Sequence, residues 1–400
     1  MRLQNDLVVS HTVSEADHGE PPREVVSYSF VQMAVWLELF YDLVFVAAIL
    51  VFSSAVSHLH DATRISWVVV VFSSVWWVWL STTMFVNRFR VADVPHRLLV
   101  LTQMFLVVLI AMEARAGVVD DEAFLLATYG ALVATVALMY WRASRGGGAD
   151  VGFARHLALV HATAAACFLV AAPLPEGLRI AGSAIGMAVM IVPAVVRSGR
   201  LGDFPTINEE HLVERLGAFT IIVCGESFVK VAIAVSNSTV DGVDVVALAF
   251  QFVLTFALWA SYFEDIPHAG INQRRLAPWL AFHLVTQLGI AGTAIGVSKL
   301  VALGFLEHLP AEDILEIMAT LALVYLGLAG IGVCTRRRPI RPLLVLRLGS
   351  ALVVAIVGFG AWQISWMDLV EGVAALTVVA VVHAFAVPRL RARTSMLPAA

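Results

Sequence analysis

Trp36-Leu37-Glu38-Leu39-Phe40-Tyr41-Asp42-Leu43-Val44-Phe45-Val46 places two carboxylates one helical turn apart inside an apolar stretch of membrane length. An acidic side chain at the centre of a spanning helix costs roughly 2.5–3.5 kcal/mol on insertion scales. Residues i and i+4 share a face of a helix, so one partner can satisfy both Glu38 and Asp42. The reading of this stretch decides the fold. Either the chain buries two charges in lipid for a reason, or the segment is not membrane-embedded at all.

Composition settles that choice. The chain has 400 residues, 60% hydrophobic and 14% charged, with a mean hydropathy of +0.86. Soluble domains are nearer half apolar and a quarter charged. Apolar stretches of about 20 residues recur along the whole chain, which predicts an all-α, polytopic membrane protein. The expected helices are 34–57, 65–86, 97–116, 122–141, 155–172, 178–197, 211–236, 243–264, 276–298, 313–334, 341–362 and 364–387. Breakers separate most of them: Gly146-Gly147-Gly148, Pro173, Pro175, Pro205, Pro267, Pro310, Pro339 and Pro342.

Basic residues orient these twelve spans. Of 26 Lys and Arg residues, 19 fall in the tails and even-numbered loops, four in odd-numbered loops, and three (Arg215, Lys230 and Arg347) within helices. Cytoplasmic loops are the basic ones, so both termini are expected in the cytoplasm. Residues 1–33 read as a polar cytoplasmic tail, 198–210 as a cytoplasmic linker and 388–400 as a second tail. Between them lie two six-helix halves, 34–197 and 211–387. Three pairs support a tandem repeat: Glu38 with Glu214, Trp79 with Trp259, and Arg97 with Arg275, offset by 176, 180 and 178 residues. Six is an even number, so the copies would be parallel, as in some transporters.

Helix seven carries the heaviest polar load: His211, Glu214 and Arg215 within one turn, then Glu226, Ser227 and Lys230. Glu226 lies about 22 Å along the helix from His211, near mid-membrane. It is either a proton-exchanging group or one side of a closed pair with Lys230, at the favourable i+4 spacing. Glu38 and Asp42 likewise either line a conduction path or are neutralised by Arg88, Arg97 or Arg215. Trp76, Trp77 and Trp79 read as belt or packing residues, and Glu264 as a hydrated acid at a helix end. His283 reads as a hydrogen-bonded packing residue or a relay, and Glu113 as a snorkelling acid. Cys167, Cys224 and Cys334 sit in apolar helices at spacings that fit neither zinc nor disulfides. Gly182-xxx-Gly186 and Gly292-xxx-Gly296 predict close helix packing. A net charge of −4 argues against a nucleic-acid partner. The chain contains no Walker A loop, His-Glu-x-x-His or Gly-x-Ser-x-Gly motif, so no enzyme activity and no cofactor are expected.

Three segments resemble the bacterial low temperature requirement A family: Glu38 to Val46, then Asn87-Arg88-Phe89, then His211-Leu212-x-Glu214-Arg215 through Gly225-Glu226-Ser227. Tyr262-Phe263-Glu264-Asp265 resembles that family's ending of helix eight. The likeness covers roughly residues 30–390 and implies membrane residence rather than a known reaction. Where the family usually follows Asn-Arg-Phe with an acid, this chain has Arg90, with Asp93 nearby. A weaker likeness links Phe40-Tyr41-Asp42-Leu43-Val44-Phe45 to the signature helix of six-helix-repeat potassium channels. Trp36 and Glu38 replace the basic residue that precedes that signature.

These readings predict a bacterial cytoplasmic-membrane protein in contact with lipid, acting as a proton-coupled secondary transporter for a small-molecule substrate. Glu226 would exchange protons, and Glu38, Asp42, Glu214 and Arg215 would form a cytoplasmic gate, supported by Asn87, Arg88, Arg97 and His211. The alternatives are a small-cation channel lined by helices one and seven, and a structural or lipid-interacting protein. Transport requires a water-accessible space touching Asp42 and Glu226.

Overall fold

A computed structural model describes residues 35–48, 62–89, 91, 93–115, 122–147, 150–198, 207–236, 242–264, 270–303, 311–335, 341–364 and 369–395. The expected tail 1–33 and most of the expected linker lie outside these residues. Twelve α-helices and no strand are found among them. They are α1 (35–48), α2 (Ala62–Phe89), α3 (Val94–Arg115), α4 (Glu122–Ala143), α5 (Val151–Ala171) and α6 (Glu176–Ser198). The second half comprises α7 (Glu209–Ser236), α8 (Gly242–Phe263), α9 (Leu276–Leu303), α10 (Ala311–Cys334), α11 (Arg341–Ile364) and α12 (Leu369–Ser395). Eight of the described helices are long and apolar enough to cross a membrane. The last helix runs on through Pro388 to Ser395, past the expected end at 387.

Helix ends follow local chemistry. Asn208 caps α7 by accepting the His211 N–H at 3.2 Å, and Glu209 and Glu210 place negative charge on the first turn. Asp93 caps α3 in the same way, its Oδ1 accepting the His96 N–H at 3.0 Å while Arg142 donates to Oδ2 at 2.6 Å. Partial burial costs the Asp93 carboxylate something, but Arg142 and the His96 N–H outweigh it and hold its pKa below the usual value. Asp93→Ala is expected to cost about 1 kcal/mol, read as a drop in thermal unfolding temperature. Because the folded pKa is lowered, the charge-dependent part of that contribution is present above the ordinary carboxylate value. It disappears as pH falls through the lowered one.

The helices pack as a bundle centred on α9, which touches α10, α7, α6, α2 and α8. The first half runs α3–α4–α5–α6 by neighbour contacts, with α2 also against α4. Contacts of α2 with α7 and α9, and of α6 with α9, join the halves. Trp76, Trp79, Phe219 and Trp279 fill this centre and are fully buried. The outward faces of α3, α6 and α11 carry Phe105, Ile180 and Leu352, exposed as lipid-facing residues would be. Small residues set the closest approaches: a Cβ on Gly186 would sit 2.8 Å from the Phe168 ring, and one on Gly289 would sit 2.7 Å from the Thr320 carbonyl. The α8–α9 connection is tied to the end of α10 by a bridge between Ile271 and Thr335, next to Gly270 at φ 67°.

The three paired positions of the proposed repeat do not share surroundings. Trp79 is buried whereas Trp259 is 37% exposed. Glu38 is bonded across helices whereas Glu214 faces outward. Arg275 donates to the Val333 carbonyl at 2.8 Å, while Arg97 lines a cleft.

Candidate functional site

The Glu38-x-x-x-Asp42 face of α1 lies against α2 and α7. Arg215 of α7 donates from Nη2 to Asp42 Oδ1 at 2.6 Å, and its Nε lies 3.4 Å from Glu38 Oε2. One guanidinium therefore answers two carboxylates, as the i, i+4 spacing allows. His211, one turn before Arg215, places Nε2 3.0 Å from the same Glu38 oxygen. The Trp79 indole N–H donates to Asp42 Oδ1 at 2.6 Å. Among the described residues nothing donates to the other carboxylate oxygen of Asp42, which is completely buried.

Burial deepens along this array. The side chains of His211 and Glu38 are 25% and 15% exposed, those of Arg215 and Asp42 6% and 0%. The rim is braced by Asn87 at the end of α2. Its amide donates to the Asn208 carbonyl at 2.9 Å, lies 3.2 Å from His211 Nδ1, and accepts the Asn208 N–H at 3.1 Å. Asn87 thus joins α2 to the cap of α7 and fixes the imidazole through the ring nitrogen that does not face Glu38. Further in, Gln287 of α9 accepts the Trp76 N–H at 2.7 Å and donates to Thr220 at 3.0 Å. These bonds link α2, α7 and α9 directly below the charges.

A narrow cleft, partly open to solvent and with room for about one water, lies beside the array between α1, α2, α3 and α7. Glu38, Tyr41, Thr83, His96, Arg97 and Arg215 line it, with Leu37, Val86, Val91 and Val100 as apolar wall. It reaches neither Asp42 nor Glu226, so the space expected to touch both is not this one.

Glu38, Asp42, Asn87, His211 and Arg215 are brought together, and Arg97 lines the cleft beside them. Others are placed elsewhere. Glu214 faces away from the array, because it is one residue short of Arg215 and so rotated by about 100° around α7. Arg88 donates to Asp150 at 2.6 Å and braces the start of α5. Glu226 is 2% exposed in the far half of α7, eleven residues beyond Arg215 and so about 16 Å away. The side chain of Lys230 lies outside the described residues. Ser227 bonds the Cys224 carbonyl at 2.5 Å and lies 3.1 Å from the Thr255 hydroxyl, which joins α7 to α8. Glu264 is exposed at the end of α8. His283 is buried, bonded through Nδ1 to the Trp279 carbonyl at 2.8 Å and packed on the Trp279 and Tyr262 rings.

Trp79 packs in the centre on Trp76 and Phe219, as expected of a packing residue, and in addition donates to the buried acid. The spacing of Trp76 and Trp79 was the available signal: i and i+3 face the same way, and both indoles donate inward. Asn208, Gln287 and Thr220 gave less notice, as single polar residues in or beside apolar helices.

A bundle of long apolar helices around a buried, cross-helix charge array defines a multi-pass helical membrane protein. The match of the family model described as Bacterial low temperature requirement A protein (LtrA) to residues 33–387 is more specific. The chain belongs to that family. A Rhizobium meliloti (strain 1021) protein with the name Uncharacterized protein RA0937 is 29% identical over 238 residues, covering 57% of this chain and 58% of that protein. The chain thus aligns with little more than half the length of that curated relative. No solved structure matches.

Proposed function

We propose that this protein is a proton-coupled secondary transporter of the bacterial cytoplasmic membrane, with both termini in the cytoplasm. The array of Glu38, His211, Arg215 and Asp42 serves as its gate on the cytoplasmic side. The observation that carries the reading is Asp42. One of its oxygens takes both the Arg215 and Trp79 donors, and the other has no donor among the described residues.

Two carboxylates on one guanidinium leave a net negative charge while His211 is neutral. A buried unbalanced charge is costly, so in this reading the closed array is the state that carries the proton, at the bare Asp42 oxygen. Separation of α1 from α7 would admit water, restore the charges and release that proton. This is the elementary cycle of coupling. Glu226, buried further along α7, is the proposed partner that exchanges protons on the far side. The channel alternative gains no support from α1 and α7, which are bonded together rather than parted around a pore.

The test is reconstitution in liposomes holding a pH-sensitive dye, under an imposed pH gradient, with panels of carboxylates, amino acids, amines and sugars supplied outside. One class is expected to accelerate proton movement, and Glu38→Gln, Asp42→Asn and Glu226→Gln are each expected to slow that movement at least tenfold. Solute-independent unitary currents in planar bilayers would replace this reading with a channel. Unchanged coupled flux in Asp42→Asn would reduce the array to a brace, and unchanged flux in Glu226→Gln would remove Glu226 alone.

A further inference from the structure

The α4–α5 hairpin carries two arginines that no acid among the described residues answers. Asp150 is the only carboxylate between Glu122 and Glu176. It is held by Arg88 at 2.6 Å, while Arg142 is matched at 2.6 Å by Asp93, just before α3. Arg145 and Arg155 are exposed and pair with no carboxylate among the described residues. Arg145 is nonetheless held in place. Its guanidinium lies 4.1 Å from the centre of the Trp141 ring, and its backbone N–H donates to the Arg142 carbonyl at 3.1 Å. Trp141 is 44% exposed near the end of a helix long and apolar enough to cross a membrane, the depth at which tryptophan meets lipid headgroups.

Helix register puts these two charges on one face at one height. Gly130 of α4 and Leu169 of α5 touch, since a Cβ on Gly130 would sit 2.9 Å from Leu169 Cγ. Trp141 lies eleven residues beyond Gly130, and Arg155 lies fourteen residues before Leu169. These spacings are close to three and four full turns, so Trp141 repeats the face of Gly130 and Arg155 that of Leu169. The two helices are antiparallel, and both steps lead to the same end of the hairpin, by about 17 and 21 Å. Arg145, about one turn past Trp141, therefore stands level with Arg155. The stacking of Tyr140 on His161, 5.6 Å between ring centres, keeps the same register near this end. One turn inward the adjoining surface is apolar and open, with Leu138 41% and Leu159 62% exposed.

We infer that the outer face of the α4–α5 hairpin binds an anionic phospholipid, its phosphate held by Arg145 and Arg155 and an acyl chain lying on Leu138 and Leu159. Arginine offers a phosphate charge-assisted, bidentate hydrogen bonds, and two level guanidinium groups over exposed leucines match a headgroup above its chain. A zwitterionic lipid is the poorer fit, because its choline or ammonium group adds positive charge beside two arginines. Basic residues at helix ends also orient a membrane protein, but orientation asks only for charge in the loop. Here one arginine is fixed on a ring and the other is matched to it in height, which defines a position. Basic clusters at the cytoplasmic ends of helices are where anionic headgroups collect, and the proposed orientation puts this end of the hairpin there. The site does not rest on the transport reading.

The experiment titrates the purified full chain in detergent with dioleoylphosphatidylglycerol or dioleoylphosphatidylcholine and counts retained lipids by native mass spectrometry. Phosphatidylglycerol is expected to be retained at least tenfold more tightly than phosphatidylcholine. Arg145→Gln combined with Arg155→Gln is expected to bring the two lipids within twofold of each other. Both substitutions lie on an exposed face, and an unchanged unfolding temperature shows that the double variant is folded. Arg274→Gln removes an exposed arginine from the α8–α9 connection and is expected to bind like wild type. The site is overturned if phosphatidylcholine is retained as tightly as phosphatidylglycerol, or if the folded double variant retains phosphatidylglycerol like wild type. A loss in Arg274→Gln as large as in the double variant would also overturn it, since net charge would then explain the preference. Displacement of the lipid by inorganic phosphate at equal concentration would assign the two arginines to a soluble anion and overturn the lipid.

Discussion

Arg215→Met is expected to destabilise the folded protein by about 3–5 kcal/mol, the usual consequence of removing one member of a buried ion pair. Asp42 is completely buried and Arg215 nearly so, and Glu38 is largely covered. Removing the guanidinium therefore strands two carboxylates that keep Trp79 and His211 as their hydrogen-bonded donors among the described residues. Methionine fills a similar volume, so the loss reports charge rather than a cavity. The informative variant is the pair. Arg215→Met combined with Asp42→Asn removes both charges, and a buried pair replaced as a unit is often close to neutral. Most of the lost stability is expected to return. The measurement is denaturant or thermal unfolding of wild type, the two single variants and the double in one detergent or nanodisc. Additive losses would show that Arg215 and Asp42 do not depend on each other, since coupled contacts deviate from additivity by about 0.5–3 kcal/mol.

The existence of this array was legible in the sequence because its chemistry is local on each helix. Glu38 and Asp42 on one face needed a cation at matching depth, and Arg215 was one of three arginines that fitted. Geometry made the choice. Arg88 is taken by Asp150 in the α4–α5 turn, Arg97 lines the cleft, and Arg215 makes the 2.6 Å bond to Asp42. None of these outcomes could be read from spacing, because all depend on which helices become neighbours in a chain apolar on every side. Glu214 fell to the opposite kind of error. Adjacent residues on a helix point about 100° apart, so membership in one polar turn does not place two side chains on one face.

Helix number and approximate ends were legible for a different reason. In lipid every backbone group must be satisfied within the segment, so hydropathy and breakers carry nearly the whole signal. Asp93, four residues after Phe89, is legible in the same local way: it is a helix cap held by Arg142. What the sequence left hidden were the donors: Trp79, Asn208 and Gln287 acquire their roles only when α2, α7 and α9 meet.

The second large effect is expected where helices touch through backbone. Gly289→Ala should destabilise the protein by about 1–3 kcal/mol, the range for an overpacked site. The added carbon would lie 2.7 Å from the Thr320 carbonyl oxygen and 2.8 Å from the Val324 nitrogen of α10. These are main-chain atoms of a helix, so relief requires α9 and α10 to part, and this is the most extensive helix contact among those described. Separation would not stay local. On the same seam Gly292 abuts Thr320, Gly296 abuts Ile317 and Gly330 of α10 abuts Phe282 of α9, so one displaced turn loosens several contacts. Gln287, two residues before Gly289, would move with α9 and strain its bonds to Trp76 and Thr220, next to the charge array. Gly349→Ala on α11 supplies the contrast. Among the described residues no neighbouring atom lies within 4 Å of its added carbon, so it should be neutral or slightly stabilising, as alanine is the better helix former. Unfolding temperatures of the two variants decide the matter: equal values would mean that α9 and α10 do not depend on backbone contact at Gly289. Coupled transport in Gly289→Ala, measured below its unfolding temperature, should fall as well if the seam holds the Gln287 bridge in place.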